Sequence, residues 1–126
     1  MAAQVRPLVL VLERDQAVAA SLTFALRLEG FEAEIHADPA TLASGQGTSA
    51  ACLLLDADHP EVRPSALVRR LREQGLGAPA IFTATNPRRG LRDEVASAGA
   101  RLLEKPWTGD GVIAEIRRCA KAGEAV

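Results

Sequence analysis

The sequence predicts an open, doubly wound α/β domain: a five-stranded parallel sheet with five helices on its two faces. Three observations carry this. Apolar runs alternate with amphipathic stretches five times in 126 residues, and short loops join them. The middle run, Ala51-Cys52-Leu53-Leu54-Leu55, is apolar throughout, as expected of a strand buried on both faces. Parallel strands also need crossover connections, which the intervening helices supply.

The first strand is read over Leu8–Leu12. A helix follows over Gln16–Glu29, with Val18, Leu22, Ala25 and Leu26 at helical spacing and Gly30 as its C-cap. Phe31–His36 is a weaker, more polar strand suited to the outside of the sheet. Pro39 sets φ for a short helix through Leu42, and Ser44–Ser49 reads as loop. After the third strand, Pro60 forbids continuation of the ladder. Ala66–Gln74 is the body of the third helix, with Leu67, Val68 and Leu71 inward and Arg69, Arg70 and Arg72 outward, and Gly75 and Gly77 break it. Pro79–Thr83 gives the fourth strand and Arg88–Ala98 the fourth helix, capped by Gly99. Leu102-Leu103 forms a short fifth strand ending at Glu104-Lys105-Pro106, and Val112, Ile113 and Ile116 place a last helix from about Thr108 to Ala122. The reading is one domain over 1–126, with flexible ends at 1–6 and 123–126.

A hydrophobic content of 48% with 25% charged residues is ordinary for a core of this size. Fifteen basic against 16 acidic residues leave a net charge of -1, so no overall field draws the chain to nucleic acid or an anionic membrane. Arg69, Arg70, Arg72, Arg88, Arg89 and Arg92 are interspersed with acids and read as solvated helix faces. The first residues lack the apolar core of a signal peptide, which favours a cytoplasmic location. Cys52 and Cys119 lack metal or redox spacing and read as reduced packing residues.

In such a sheet the carboxyl ends of the strands gather where strand order reverses, and chemistry collects there. Those ends carry Glu13-Arg14-Asp15, Asp56, Thr83-Ala84-Thr85 and Lys105-Pro106. A strand-end aspartate alone is commonly a turn residue, and a lone lysine is commonly solvated. Lys105, however, is one of just two lysines among fifteen basic residues, and it sits between a strand and a proline. The conjunction is what is specific.

This constellation resembles the receiver domain of bacterial response regulators, nearly end to end. The resemblance implies a flavodoxin-like strand order 2-1-3-4-5 and a phosphoacceptor at Asp56 that takes a phosphoryl group from a histidine kinase or phosphotransfer protein. It also implies Mg²⁺ held by Glu13, Asp56 and the backbone carbonyl of Asp58, and phosphoryl binding by Thr83 and Lys105. A carboxylate can attack phosphorus in line, while a divalent cation and an ammonium neutralise the charge on the phosphoryl oxygens. No enzymatic activity is implied beyond this, and the chain reads as a stand-alone or excised receiver acting through protein–protein contact. The expected docking face, for a partner or a second copy, is helix four, strand five and helix five.

Three departures from the family qualify the carry-over. Arg14 stands where the second acidic residue of the first turn belongs, and a guanidinium cannot ligate a cation. Pointing into the mouth, it would pair with Asp56 or Glu13 in place of a metal; pointing outward, it would leave Asp15 to supply the missing carboxylate. The inward placement weakens or abolishes Mg²⁺ binding and phosphorylation, and gives the alternative of a phosphorylation-independent pseudo-receiver. The hydroxyl position is offset by one residue: counting back from Lys105-Pro106 selects Thr83, and counting from Pro79 selects Ala84. The aromatic switch of strand five is absent, with Leu102 in its place. Trp107 reads as a packing residue, and Pro64 stiffens the start of helix three.

Other chemistries fit less well. Asp56-Ala57-Asp58 has the shape of a nucleophile and acid/base pair in haloacid-dehalogenase-like phosphohydrolases, a remote alternative. There, the motif opens the chain and a threonine follows. A metal site from Asp56, Asp58 and His59 fails because alternate strand side chains point apart. His59 reads as a loop residue and His36 as an edge-strand one. A nucleotide site would need glycines after strand one, and Glu13-Arg14-Asp15-Gln16 has none.

Overall fold

A computed structural model describes residues 6–44, 49–107 and 109–124. The elements are β1 (Leu8–Leu12), α1 (Gln16–Leu28), β2 (Glu32–His36), α2 (Pro39–Ser44), β3 (Cys52–Asp56), α3 (Pro64–Glu73), β4 (Ala80–Thr85), α4 (Arg89–Ser97), β5 (Arg101–Lys105) and α5 (Gly109–Glu124). All strands are parallel, in the order β2-β1-β3-β4-β5. The predicted doubly wound sheet is the one found.

Period-two alternation divides the core into two layers. Leu10, Leu12, Leu53, Leu55 and Phe82 point to one face, where Leu42 of α2, Leu67 and Leu71 of α3, and Val95 of α4 cover them. Val9, Val11, Cys52, Leu54 and Ile81 point to the other, beneath Leu22 and Leu26 of α1 and Ile113 and Ile116 of α5. Each buried leucine or isoleucine contributes roughly 1.5–3 kcal/mol of transfer free energy, so both layers hold the sheet. Cys52 and Cys119 are free thiols buried in the second layer, and a mutual hydrogen bond and burial push the Cys52 thiol up. The second strand is a polar edge strand, as its composition predicted, and β5 forms the other edge.

Strand boundaries run further toward the mouth than the apolar pattern suggested. β3 takes in Asp56, β4 continues to Thr85 and β5 covers Arg101–Lys105. The cause is register: Asp56 pairs with Thr83 and Thr85 with Lys105, and ladder pairing depends on the backbone, not on side-chain polarity. α3 starts at Pro64, ahead of the expected Ala66, because proline suits the first helical turn. Gly30, at φ +89°, ends α1 as predicted. Its N–H donates to the Arg27 carbonyl, and the Phe31 N–H donates to that of Leu26 at 2.9 Å, a Schellman closure with Phe31 buried behind it. Arg72, expected to be solvated, donates to the carbonyls of Leu76 and Ala78. The loop expected over Ser44–Ser49 lies mostly outside the described residues. So do most of the expected flexible ends, although α5 runs through Glu124.

Candidate functional site

The carboxyl ends of β1, β3, β4 and β5 form the mouth, and four of the predicted residues meet there. Asp56, the last residue of β3, is 4% exposed, and Glu13, just past β1, is 6% exposed. Lys105, the last residue of β5, places its Nζ 2.9 Å from Asp56 Oδ1, 3.6 Å from Asp58 Oδ2 and 3.9 Å from Glu13 Oε1. Three carboxylates thus converge on one ammonium. Burial pulls the Lys105 pKa down, but the hydrogen bond and charge of Asp56, with Glu13 and Asp58, outweigh it and hold the ammonium above its usual range. Burial pushes the Glu13 carboxyl up, the Asp56 charge adds to that, and a hydrogen bond from the Asp15 N–H partly offsets it.

Local backbone geometry aims these groups. The Asp58 N–H donates to Asp56 Oδ1 at 2.9 Å, and the Thr85 N–H donates to Asp58 Oδ2 at 2.9 Å, so the end of β4 fixes the Asp58 side chain. Among the described residues no hydrogen bond reaches the second oxygen of Asp56, which leaves it available for chemistry. The Lys105–Pro106 peptide bond is cis, and the Trp107 ring lies 5.8 Å from the Lys105 ammonium while packing against the α1–α5 layer. A groove of about 730 Å³ opens from this corner, with Glu13 and Lys105 at one end and Val18, Leu22, Trp107 and Val112 along its walls.

Arg14 corrects one expectation. It is exposed and forms no ion pair or hydrogen bond among the described residues, so it does not neutralise Asp56 or Glu13. Alternation after β1 turns Glu13 in and Arg14 out, and Lys105 already supplies the cation at lower desolvation cost. Asp15 does not replace the lost carboxylate either: its Oδ1 accepts the N–H groups of Ala17 and Val18 as the N-cap of α1.

Thr83 and Ala84 face opposite sides of the sheet. Thr83 is the register partner of Asp56 and follows Ile81 on the α1–α5 face. Ala84 follows Phe82 on the α3–α4 face, where Leu102 packs. His59 is a loop residue, as read, but a buried one. The Glu61 N–H donates to its Nδ1, so the proton sits on Nε2, which donates to the Ala37 carbonyl at 3.1 Å. Asp38, His59 and Glu61 are the described acid and imidazole groups close enough together to share a metal ion, yet both ring nitrogens of His59 are engaged.

Sequence reasoning missed two contacts. It gave Asp58 only its backbone carbonyl, whereas the side chain faces Lys105. It gave Glu94 to a solvated face, whereas its carboxylate accepts the Ser65 N–H at 2.9 Å and caps α3 across the helix pair. Both join residues remote in sequence, so no local signal marks them.

No family model matches the chain. The sensory transduction protein RegX3 of Mycobacterium tuberculosis is 29% identical over 116 residues, covering 91% of this chain and 51% of its own length. The chain therefore spans about half the length of the curated relatives it matches. A CheY-like response regulator receiver domain protein of Methanospirillum hungatei superposes with a TM-score of 0.83 at 20% identity, covering 96% of this chain and 98% of the other. A chain described as adenylate cyclase from Rhodopirellula baltica superposes at 0.85 with 15% identity, covering 96% and 92%.

The fold is that of response-regulator receiver domains, and this chain is similar to such proteins along nearly its whole length. The receiver fold is typically non-enzymatic, and fold alone does not set activity. Among the described residues no helix is long and apolar enough to cross a membrane.

Proposed function

We propose that Asp56 is a phosphoacceptor, charged by a histidine kinase or phosphotransfer protein, in a cytoplasmic receiver that acts by binding other proteins. The observation that carries this reading is the 2.9 Å contact of Lys105 Nζ with Asp56 Oδ1 at the end of a buried strand. The free carboxylate oxygen forms an O–P bond to the incoming phosphorus as the donor's N–P bond breaks, giving an acyl phosphate. Lys105, already within reach, pairs with the phosphoryl oxygens. Thr83, the register partner of Asp56, is the hydroxyl assigned to the same group; Ala84 on the far face has none to offer.

The donor set fits Mg²⁺, which takes hard oxygen ligands. Glu13, Asp56 and the Asp58 carbonyl would hold it, and when bound it would offset charge on the phosphoryl group. The site is weakened relative to the family pattern because Arg14 has replaced a carboxylate. The pseudo-receiver alternative leaned on Arg14 entering the mouth, and its exposure removes that support. Hydrolysis through Asp58 as acid/base is not favoured, since its carboxylate is engaged by Thr85 and Lys105.

For docking, the α4–β5–α5 face is proposed as a charged, salt-sensitive surface, already laced by Arg92–Glu104, Arg101–Glu115 and Arg118–Glu115 pairs. Among the described residues the large exposed apolar side chains lie elsewhere, Phe24 and Leu28 on α1 and Ile35 on β2. Incubation with acetyl phosphate and Mg²⁺ followed by intact mass should give one phosphoryl adduct on the wild type and none on Asp56→Asn. An unmodified wild type would turn the assignment to the phosphorylation-independent module.

A further inference from the structure

The turn after β1 has lost a carboxylate to Arg14, and Asp15 caps a helix and cannot replace it. The loop after β3, in contrast, brings a carboxylate to the mouth that the chain's pattern does not require of it. Asp58 Oδ2 lies 3.6 Å from Lys105 Nζ, on the same ammonium that Asp56 and Glu13 reach, and the Thr85 N–H holds it there at 2.9 Å. A cation in this mouth would therefore have a third carboxylate within reach.

We infer that the Asp58 side chain supplies the charge that Arg14 removed, so that the divalent-cation site is built on Glu13, Asp56 and the carboxylate of Asp58. The inference rests on the phosphoacceptor reading for the place of the cation, but it concerns a different atom. Divalent affinity follows the number of ligand charges, and three carboxylates gathered within reach of one ammonium carry more negative charge than that ammonium offsets. Lys105 holds the three together through its ammonium.

The test is titration of the intact chain with MgCl₂, followed through Trp107, the single tryptophan, and by calorimetry. Asparagine keeps an oxygen for the Thr85 N–H and removes only the charge, so Asp58→Asn should fold like the wild type while binding Mg²⁺ roughly tenfold more weakly. Asp15→Asn should bind as the wild type does. The urea midpoint of Asp58→Asn should stay at the wild-type value, which a merely structural role for Asp58 would not predict. Equal Mg²⁺ affinity in wild type and Asp58→Asn overturns the inference, as does a wild type that binds no Mg²⁺ at millimolar concentration. The acetyl phosphate adduct separates the two readings. A phosphorylated wild type with unaffected Asp58→Asn binding rejects the role of Asp58 alone. Tight, Asp58-dependent Mg²⁺ binding without an adduct rejects the phosphoacceptor reading alone.

Discussion

The turn after β1 and the loop after β3 both deliver acids to the mouth, but they are held differently. In the turn, Glu13 points in, Arg14 points out and Asp15 caps α1, so one side chain of three faces the site. In the loop, Asp56 and Asp58 both reach Lys105, and the backbone around them is tied by the Asp58 N–H, the Thr85 N–H and the bridge from His59 to Ala37. The Asp58 carboxylate is held by one N–H at the end of the neighbouring strand, beside the site, whereas Asp15, bonded to two N–H groups of α1, is committed to that helix. The loop after β3 thus brings two carboxylates to Lys105 and the turn after β1 brings one.

Removing the cation common to both loops should have the largest effect. Lys105→Met leaves Glu13, Asp56 and Asp58 facing one another, and should cost roughly 2–3 kcal/mol in urea unfolding at neutral pH. The Lys105 pKa is raised on folding, so its contribution is complete below the unfolded lysine value and is lost as pH rises through the folded one. Wild type and variant should therefore converge only in strongly alkaline solution. A gap that persists there would assign the loss to the stem's packing on Trp107.

His59→Ala attacks the better-anchored loop alone. It removes a buried ring with both nitrogens bonded and strands the Ala37 carbonyl, for about 2 kcal/mol. A loss under about 0.5 kcal/mol, within the range of ordinary surface changes, would mean that Asp56 and Asp58 order the loop unaided. On the other side, Asp15→Ala should cost about 1 kcal/mol, the usual worth of an N-cap, read as a lower thermal midpoint.

Glu13→Gln should have the smallest effect and the opposite sign. Burial raises the Glu13 pKa, so the folded state binds its proton more tightly than the unfolded chain and loses stability as pH rises through that window. Glutamine keeps an acceptor for the Asp15 N–H without the charge. The variant should gain less than about 1 kcal/mol at neutral pH, and the gain should fade in acid. A less stable variant at neutral pH would show that attraction to Lys105 outweighs burial.

The sheet was legible because periodicity is local: apolar alternation and glycine caps fix strands, helices and their ends from a few neighbouring residues, as at Leu53–Leu55 and Gly30. The pairing of Asp56 with Lys105 was legible too, since both stand at the ends of predicted strands. Strand ends were set too short, because the ladder at Thr85 and Lys105 depends on a partner strand and not on the residues themselves. Arg14 and Asp58 were misplaced for a related reason. Composition says that an arginine has entered an acidic turn, but only packing decides whether a long side chain meets a carboxylate or water, since the choice weighs desolvation against a cation already present. The sequence by itself therefore determined the fold and the chemical types gathered at the mouth. Which carboxylates face the ammonium was decided by the tertiary structure, because hydrogen bonds from residues 27 positions away, such as the Thr85 N–H to Asp58, aim the side chains.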